Sequence, residues 1–194
     1  LFHARFAPDR IGPDKAASEA AFETALDAAW ATLLDGVANP DEDRILSRLM
    51  TLLRAVLRTN FHAGASYIAL KISSADAGDM PAPRPWREIF VHSARMEGCH
   101  LRAGPVARGG IRWSDRREDF RTEILGLMKA QRLKNVVIVP TGAKGGFVLK
   151  QAPIASNRDA FMAEGIACYS ILINAMLDMA DDLHGLDVAT PPGI

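Results

Sequence analysis

GCHLRAGPVARGGIRWSDRREDFRTEILGLMKAQRLKNVVIVPTGAKGGFVLK, residues 98–150, holds two short glycine strings, each with a cation. The first is Arg108-Gly109-Gly110 and the second is Gly142-Ala143-Lys144-Gly145-Gly146. Between them, Asp115 to Leu133 has the length and apolar spacing of a helix, with Phe120, Ile124, Leu127 and Met128 on one face. Asp115 followed by Glu118 predicts a capping box at its start. The compact apolar run Val136 to Val139 then reads as a buried strand, and Phe147 to Leu149 as another after the second glycine string. Glycines beside cations leave unhindered backbone N–H groups where a small anion can approach.

Outward from this stretch, helices alternate with strands. Asp14 to Leu34, with Phe22, Leu26 and Trp30 four apart, predicts an amphipathic helix closed by Gly36 and Asn39-Pro40. Asp41 is expected to cap a second helix running to Asn60, with Ile45, Leu49, Leu52, Leu53, Val56 and Leu57 on its apolar face. Strands are expected at Tyr67 to Ile72, Glu88 to Ser93 and Cys99 to Arg102, with Arg95 to Gly98 as a turn. After Asn157 a long helix is expected to about Leu183. The fold class is therefore α/β, a mixed β-sheet flanked by helices with an N-terminal helical hairpin. Residues 1–60 form the helical lead-in, and residues 61–194 the functional part.

The 23 Lys and Arg balance 23 Asp and Glu, so no global field argues for nucleic acid or an anionic membrane. The local distribution is uneven. Arg102 to Lys134 carries nine Lys/Arg against four Asp/Glu, whereas Ile171 to Ile194 has four Asp and no Lys or Arg. The two cysteines, Cys99 and Cys168, lie far apart and form no cluster at metal-ligand spacing, which predicts a reduced, cytoplasmic protein without a metal. Among the histidines only His92 and His100 are placed to pair across a hairpin. No uninterrupted run of about 18 apolar residues occurs, so no membrane segment is expected. The opening at Leu1 leads us to expect a fragment of a longer chain.

Lys144 follows a strand, where α/β proteins place ligand-contacting groups, and equally fits a solvated lysine on a tight turn. The string is not a Walker A loop, and no Gly-x-Gly-x-x-Gly occurs. Lys134 suits the C-terminal end of a helix dipole, with Gln131 on the same face. Arg108 and Arg112 also fit plain surface charge. A non-catalytic domain binding anions or RNA phosphate, or a structural interaction domain, would use the same basic stretch.

Three motifs in order, GPVARGGIRW, TEILGLMKAQRLKN and PTGAKGG, make segment 95–150 resemble the substrate-binding core of glutamate dehydrogenases. The resemblance is greatest to the large, multidomain NAD-dependent class of bacteria. It implies oxidative deamination of L-glutamate to 2-oxoglutarate and ammonium. Lys144 takes the place of the catalytic base, Lys134 with Gln131 beside it that of the α-carboxylate site, and Arg108-Gly109-Gly110 the motif whose lysine contacts a substrate carboxylate. Arg108 stands where that lysine is found, and a guanidinium holds a carboxylate bidentately. The resemblance further implies that NAD and the catalytic aspartate belong to residues outside this chain, so that Asp178, Asp181, Asp182 and Asp187 are not candidates. This stretch alone is expected to be inactive. Its partners are the remaining domains of the same polypeptide, in a homo-oligomer.

Overall fold

The computed structural model describes residues 5–6, 15–134, 140–154, 156–191 and 194; the side chains of 15–20 and 132–134 lie outside that description. The expected strand Val136 to Val139 falls outside the described residues, as does most of the segment before Lys15. The chain then runs α1 (Lys15–Asp35), α2 (Pro40–Arg54), β1 (Val56–Thr59), β2 (Tyr67–Ser73), β3 (Arg87–Ser93) and β4 (Met96–Arg102). It continues through β5 (Ala107–Arg108), β6 (Ile111–Trp113), α3 (Phe120–Lys134), β7 (Thr141–Leu149) and α4 (Arg158–Asp178) to the hairpin β8 (Asp182–His184) and β9 (Asp187–Ala189).

Strands β1, β2, β3, β4 and β7 lie side by side and antiparallel, and β5 and β6 both pair in parallel with the free side of β7. The expected α/β class with a mixed sheet is therefore observed. Because successive strand residues point to opposite faces, β4 and β7 each feed two cores. Cys99, Leu101 and Val148 meet Phe120, Ile124, Leu125 and Met128 of α3 on one face. On the other, Ala69, Val91, Met96, Phe147 and Leu149 meet Cys168, Leu172, Ala175 and Met179 at the α4 side. Helix α4 is long and apolar enough to cross a membrane, yet it lays Cys168, Leu172 and Ala175 against this sheet. Its Gly165 takes the edge of Trp113, whose ring stacks on Phe161 with centroids 5.0 Å apart.

Several elements depart from their sequence pattern. Asn39, not Asp41, caps α2: its side chain accepts from the Asp41 N–H at 2.9 Å, with Pro40 opening the helix. That helix ends at Arg54 instead of Asn60, because Val56 and Thr59 are each 1% exposed in strand pairing with β2. Its expected apolar face is correspondingly turned: Met50 is buried while Ile45 and Leu49 are exposed. Arg48 holds this orientation by donating to the carbonyls of Ala77 and Asp79 at 2.5 Å. The expected turn Arg95 to Gly98 is shorter, since Met96 already pairs with Leu149 and Gly98 with Phe147. Helix α3 starts at Phe120, with the Glu123 N–H donating to the Asp119 carbonyl, so Asp115 is not its cap. Helix α4 follows Asn157, which caps it, but stops at Asp178 instead of about Leu183, before the hairpin. His92 and His100 do not pair: the Nε2 of His92 lies 2.8 Å from Lys150 Nζ.

The sheet's α3 face also buries an ion pair. Glu88 on β3 is 4% exposed and receives the Arg121 guanidinium bidentately, Nε at 2.7 Å and Nη2 at 2.5 Å. The carboxylate's hydrogen bonds raise the Arg121 pKa against its burial. Removing one partner strands the other charge, so Arg121→Met is expected to cost about 3–5 kcal/mol. A denaturant midpoint unchanged by that substitution, with the slope also unchanged, would show that the pair carries no stability.

Candidate functional site

The second glycine string is not a loop. Gly142 to Gly146 lie inside β7, with Ala143 to Gly146 paired with Arg102 to Cys99 of β4 on one side and β5 and β6 on the other. Packing explains why strand-poor residues stand there. A Cβ on Gly146 would run into the Ile124 side chain of α3 and lie 3.2 Å from the Arg112 carbonyl oxygen. One on Gly145 would lie 3.1 Å from both His100 Cδ2 and Ile111 Cγ1 on the opposite face. Burial, and after it the Arg102 charge, pulls the His100 pKa down to about 4, leaving a neutral imidazole behind Gly145.

The first glycine string runs along β7 in one constant register. Arg108 stands opposite Gly142 and Ile111 opposite Gly145, so Gly109 and Gly110 come opposite Ala143 and Lys144. The approach is too close for a side chain at Gly109, whose Cβ would overlap the Ala143 carbonyl. That same position lies 3.0 Å from Gln131 Oε1, reaching in from α3. The Gln131 oxygen is buried and has no hydrogen-bond partner among the described residues. Lys144, partly buried, leaves the sheet on the α3 side, as Gly146 and Val148 do. Its Nζ lies 3.9 Å from where a Gly110 Cβ would be.

Gly109, Gly110, Gln131 and Lys144, distant in sequence, are thus brought to one place. Arg108 adjoins them at the end of β5, exposed. Lys134 ends α3, the helix that carries Gln131, and its side chain lies outside the described residues. Arg112 is not simple surface charge: its Nε donates to Glu123 Oε1 at 2.7 Å, while Ser114 Oγ donates to Glu123 Oε2 at 2.6 Å. Glu123 therefore clamps β6 to α3 and fixes the glycine string against the helix that supplies Gln131. The acidic residue in the first turn of α3 was the one sequence signal of this clamp.

An α/β layer with a partly buried lysine, an exposed arginine, an amide and bare glycine backbone suits a small carboxylate ligand and proton transfer beside it. A family model described as bacterial NAD-glutamate dehydrogenase, catalytic domain, matches residues 29–194, and the chain belongs to that family. It is 53% identical over 166 residues to the NAD-specific glutamate dehydrogenase of Halomonas elongata, covering 82% of this chain and 10% of the relative. Against the protein of the same description from Mycobacterium tuberculosis it is 49% identical over 205 residues, covering 99% of the chain and 12% of the relative. For the Pseudomonas aeruginosa protein, also described as NAD-specific glutamate dehydrogenase, the figures are 50% over 175 residues, 87% and 11%. The chain spans about a tenth of the length of these relatives.

The geometry separates the two adjacent glycines. Gly109→Ala is expected to lose about 1–3 kcal/mol of stability by forcing β5 from β7. Gly110→Ala, which meets only an ordinary contact with a lysine tip, is expected to stay within about 0.5 kcal/mol of the parent. Equal unfolding midpoints for the two variants would contradict the close approach at Ala143.

Proposed function

We propose that this chain supplies the glutamate-binding and proton-transferring face of an NAD-dependent glutamate dehydrogenase, with L-glutamate oxidised to 2-oxoglutarate and ammonium in the whole enzyme. The observation that carries the reading is the meeting of Lys144, Gln131 and the Gly109-Gly110 backbone on one side of β7, in a chain of this family. Arg108 binds one substrate carboxylate through paired N–H donors, and Lys134 with Gln131 takes the other. The Gln131 oxygen, which has no hydrogen-bond partner among the described residues, accepts from the ammonium group of the substrate.

NAD supplies the hydride acceptor of such an enzyme, and the residues of this chain do not fit it. The sequence has no Gly-x-Gly-x-x-Gly, and the space over Gly145 and Gly146 of β7 is taken by His100, Ile111 and Ile124. The dinucleotide is assigned to another part of the polypeptide. What Lys144 does is local: it removes a proton from the water that adds to the oxidised α-carbon and returns one as the amine departs.

Three substitutions in the whole enzyme test these roles. Lys144→Ala should lower kcat by orders of magnitude while glutamate KM changes far less, whereas Lys134→Ala should raise KM most. Near-normal kcat in the Lys144 variant would return that residue to a solvated strand position. Arg108→Ala should weaken glutamate binding by about 1.5–3 kcal/mol with NAD affinity little changed; an unaltered glutamate KM would take Arg108 out of the site.

A further inference from the structure

The α4 face of the sheet carries a second concentration of charge, away from Lys144. Strand pairing sets Ser73, Arg87 and Arg102 in one row and Lys71, Ile89 and His100 in the next, with Arg58 opposite Lys71 at the sheet edge. Helix α4 covers the rows before these and stops, its last carbonyls reached by Lys71 Nζ, which donates to the Met179 oxygen at 3.1 Å. Beyond that point Arg58, Lys71, Arg87 and Arg102 share one face, with no helix above them among the described residues.

Among the described residues one carboxylate, that of Asp181, is paired with this cluster. Arg58 Nη2 meets Asp181 at 2.5 Å, and the Asp178 carboxylate is taken by Asn60 and the Tyr67 hydroxyl at 3.2 and 2.9 Å. Glu88 points to the opposite face, into Arg121. The Lys71 ammonium is held below its ordinary pKa by burial first and then by Arg58, with Arg102 and Arg87 adding to it and Asp181 opposing. A separate observation marks an unmet donor in the cluster: Arg58 Nη1 is buried and has no hydrogen-bond partner among the described residues. A charged donor without an acceptor is costly to bury.

The arginines are also arrayed for a ligand. The Arg87 guanidinium lies 4.5 Å from the Trp86 ring centroid, and that of Arg102 lies 5.9 Å from the same centroid. Stacking on an aromatic face orients a guanidinium while leaving N–H edges free for an oxyanion. Arg87 spends Nη1 on Ser73 and the Trp86 carbonyl, and Arg102 spends Nη2 on the Pro105 carbonyl.

We propose that Arg58, Lys71, Arg87 and Arg102, around Trp86, form a binding site for a small multivalent oxyanion, carboxylate or phosphate in type, on the sheet face opposite Lys144. The oxyanion meets the free donor edges of the two stacked guanidiniums and neutralises the cluster. The site is independent of the glutamate reading, because no residue is shared between them.

Isothermal titration of citrate and of inorganic phosphate into the intact protein, at constant ionic strength set with sodium chloride, tests this. Saturable binding of at least one of them is expected. The Arg87→Gln/Arg102→Gln double variant should weaken it at least tenfold, and Lys71→Gln, checked for native circular dichroism, severalfold. Lys144→Ala should leave it unchanged, so a failed glutamate assignment does not disturb this result. Tighter citrate binding identifies a carboxylate ligand and tighter phosphate binding a phosphate one. Absence of saturable binding by both anions, or equal affinity in the double variant and the parent, overturns the proposal.

Discussion

Two backbones approach within a distance that permits no side chain where Gly109 passes the Ala143 carbonyl, and the arrangement of this protein follows from that contact. The parallel edge of β7 accepts β5 and β6 in one uninterrupted offset because Gly109 at the junction lacks a Cβ. Any larger residue at 109 would push the strand out and open the space into which Gln131 and Lys144 reach. The same economy of volume recurs one step along β7, where Gly146 admits Ile124 and lets α3 settle onto the sheet. Glycine in a strand weakens the ladder locally, a cost offset here by the close packing it allows.

Polar contacts hold the layers in register from several sides. Glu123 ties Arg112 and Ser114 of the β6 end to α3, and Glu88 ties β3 to the same helix through Arg121. At the far end of α4, Asp178 accepts from both Asn60 and Tyr67, and Asn60 Oδ1 in turn accepts from the Ala69 N–H at 2.7 Å. Burial, with the Asp178 carboxylate acting next, pushes the Tyr67 phenol up to about 12. Its proton is thus kept in the folded state at pH values where an unfolded tyrosine loses it, and this contribution to stability fades only as the pH rises above about 10. The two sheet faces differ in what they carry: α3 and the glycine strings surround Lys144 and Gln131 on one, and Arg58, Lys71, Arg87 and Arg102 lie on the other.

Much of the architecture was legible from spacing. The apolar positions of α3 at 120, 124, 127 and 128 and the alternation in β2 and β3 each match the face they bury or half-bury. Two of the departures share one cause, which is that local propensity was outvoted by strand pairing. Val56 to Thr59 continues a helical apolar pattern, but the edge of β2 offers hydrogen bonds and burial at Val56 and Thr59 that a further helical turn would forfeit. Gly142 to Gly146 has the composition of a turn and sits in a central strand. Asp115 and Glu118 have capping spacing, but Ser114 turns toward Glu123 and delays the helix to Phe120.

The sequence by itself determined the class of fold, the family and the short set of residues worth suspecting, because periodicity and ordered motifs are properties of the chain read locally. Which of those residues meet was decided only by tertiary structure. Arg108 to Gly110, Gln131 and Lys144 come together through a parallel strand register and a helix laid across it, and no local pattern encodes a register between strands more than 30 residues apart. The Gln131 oxygen and the Arg58 Nη1, which find no hydrogen-bond partner among the described residues, belong to the same category: such a lack exists only once everything else has been packed around the side chain.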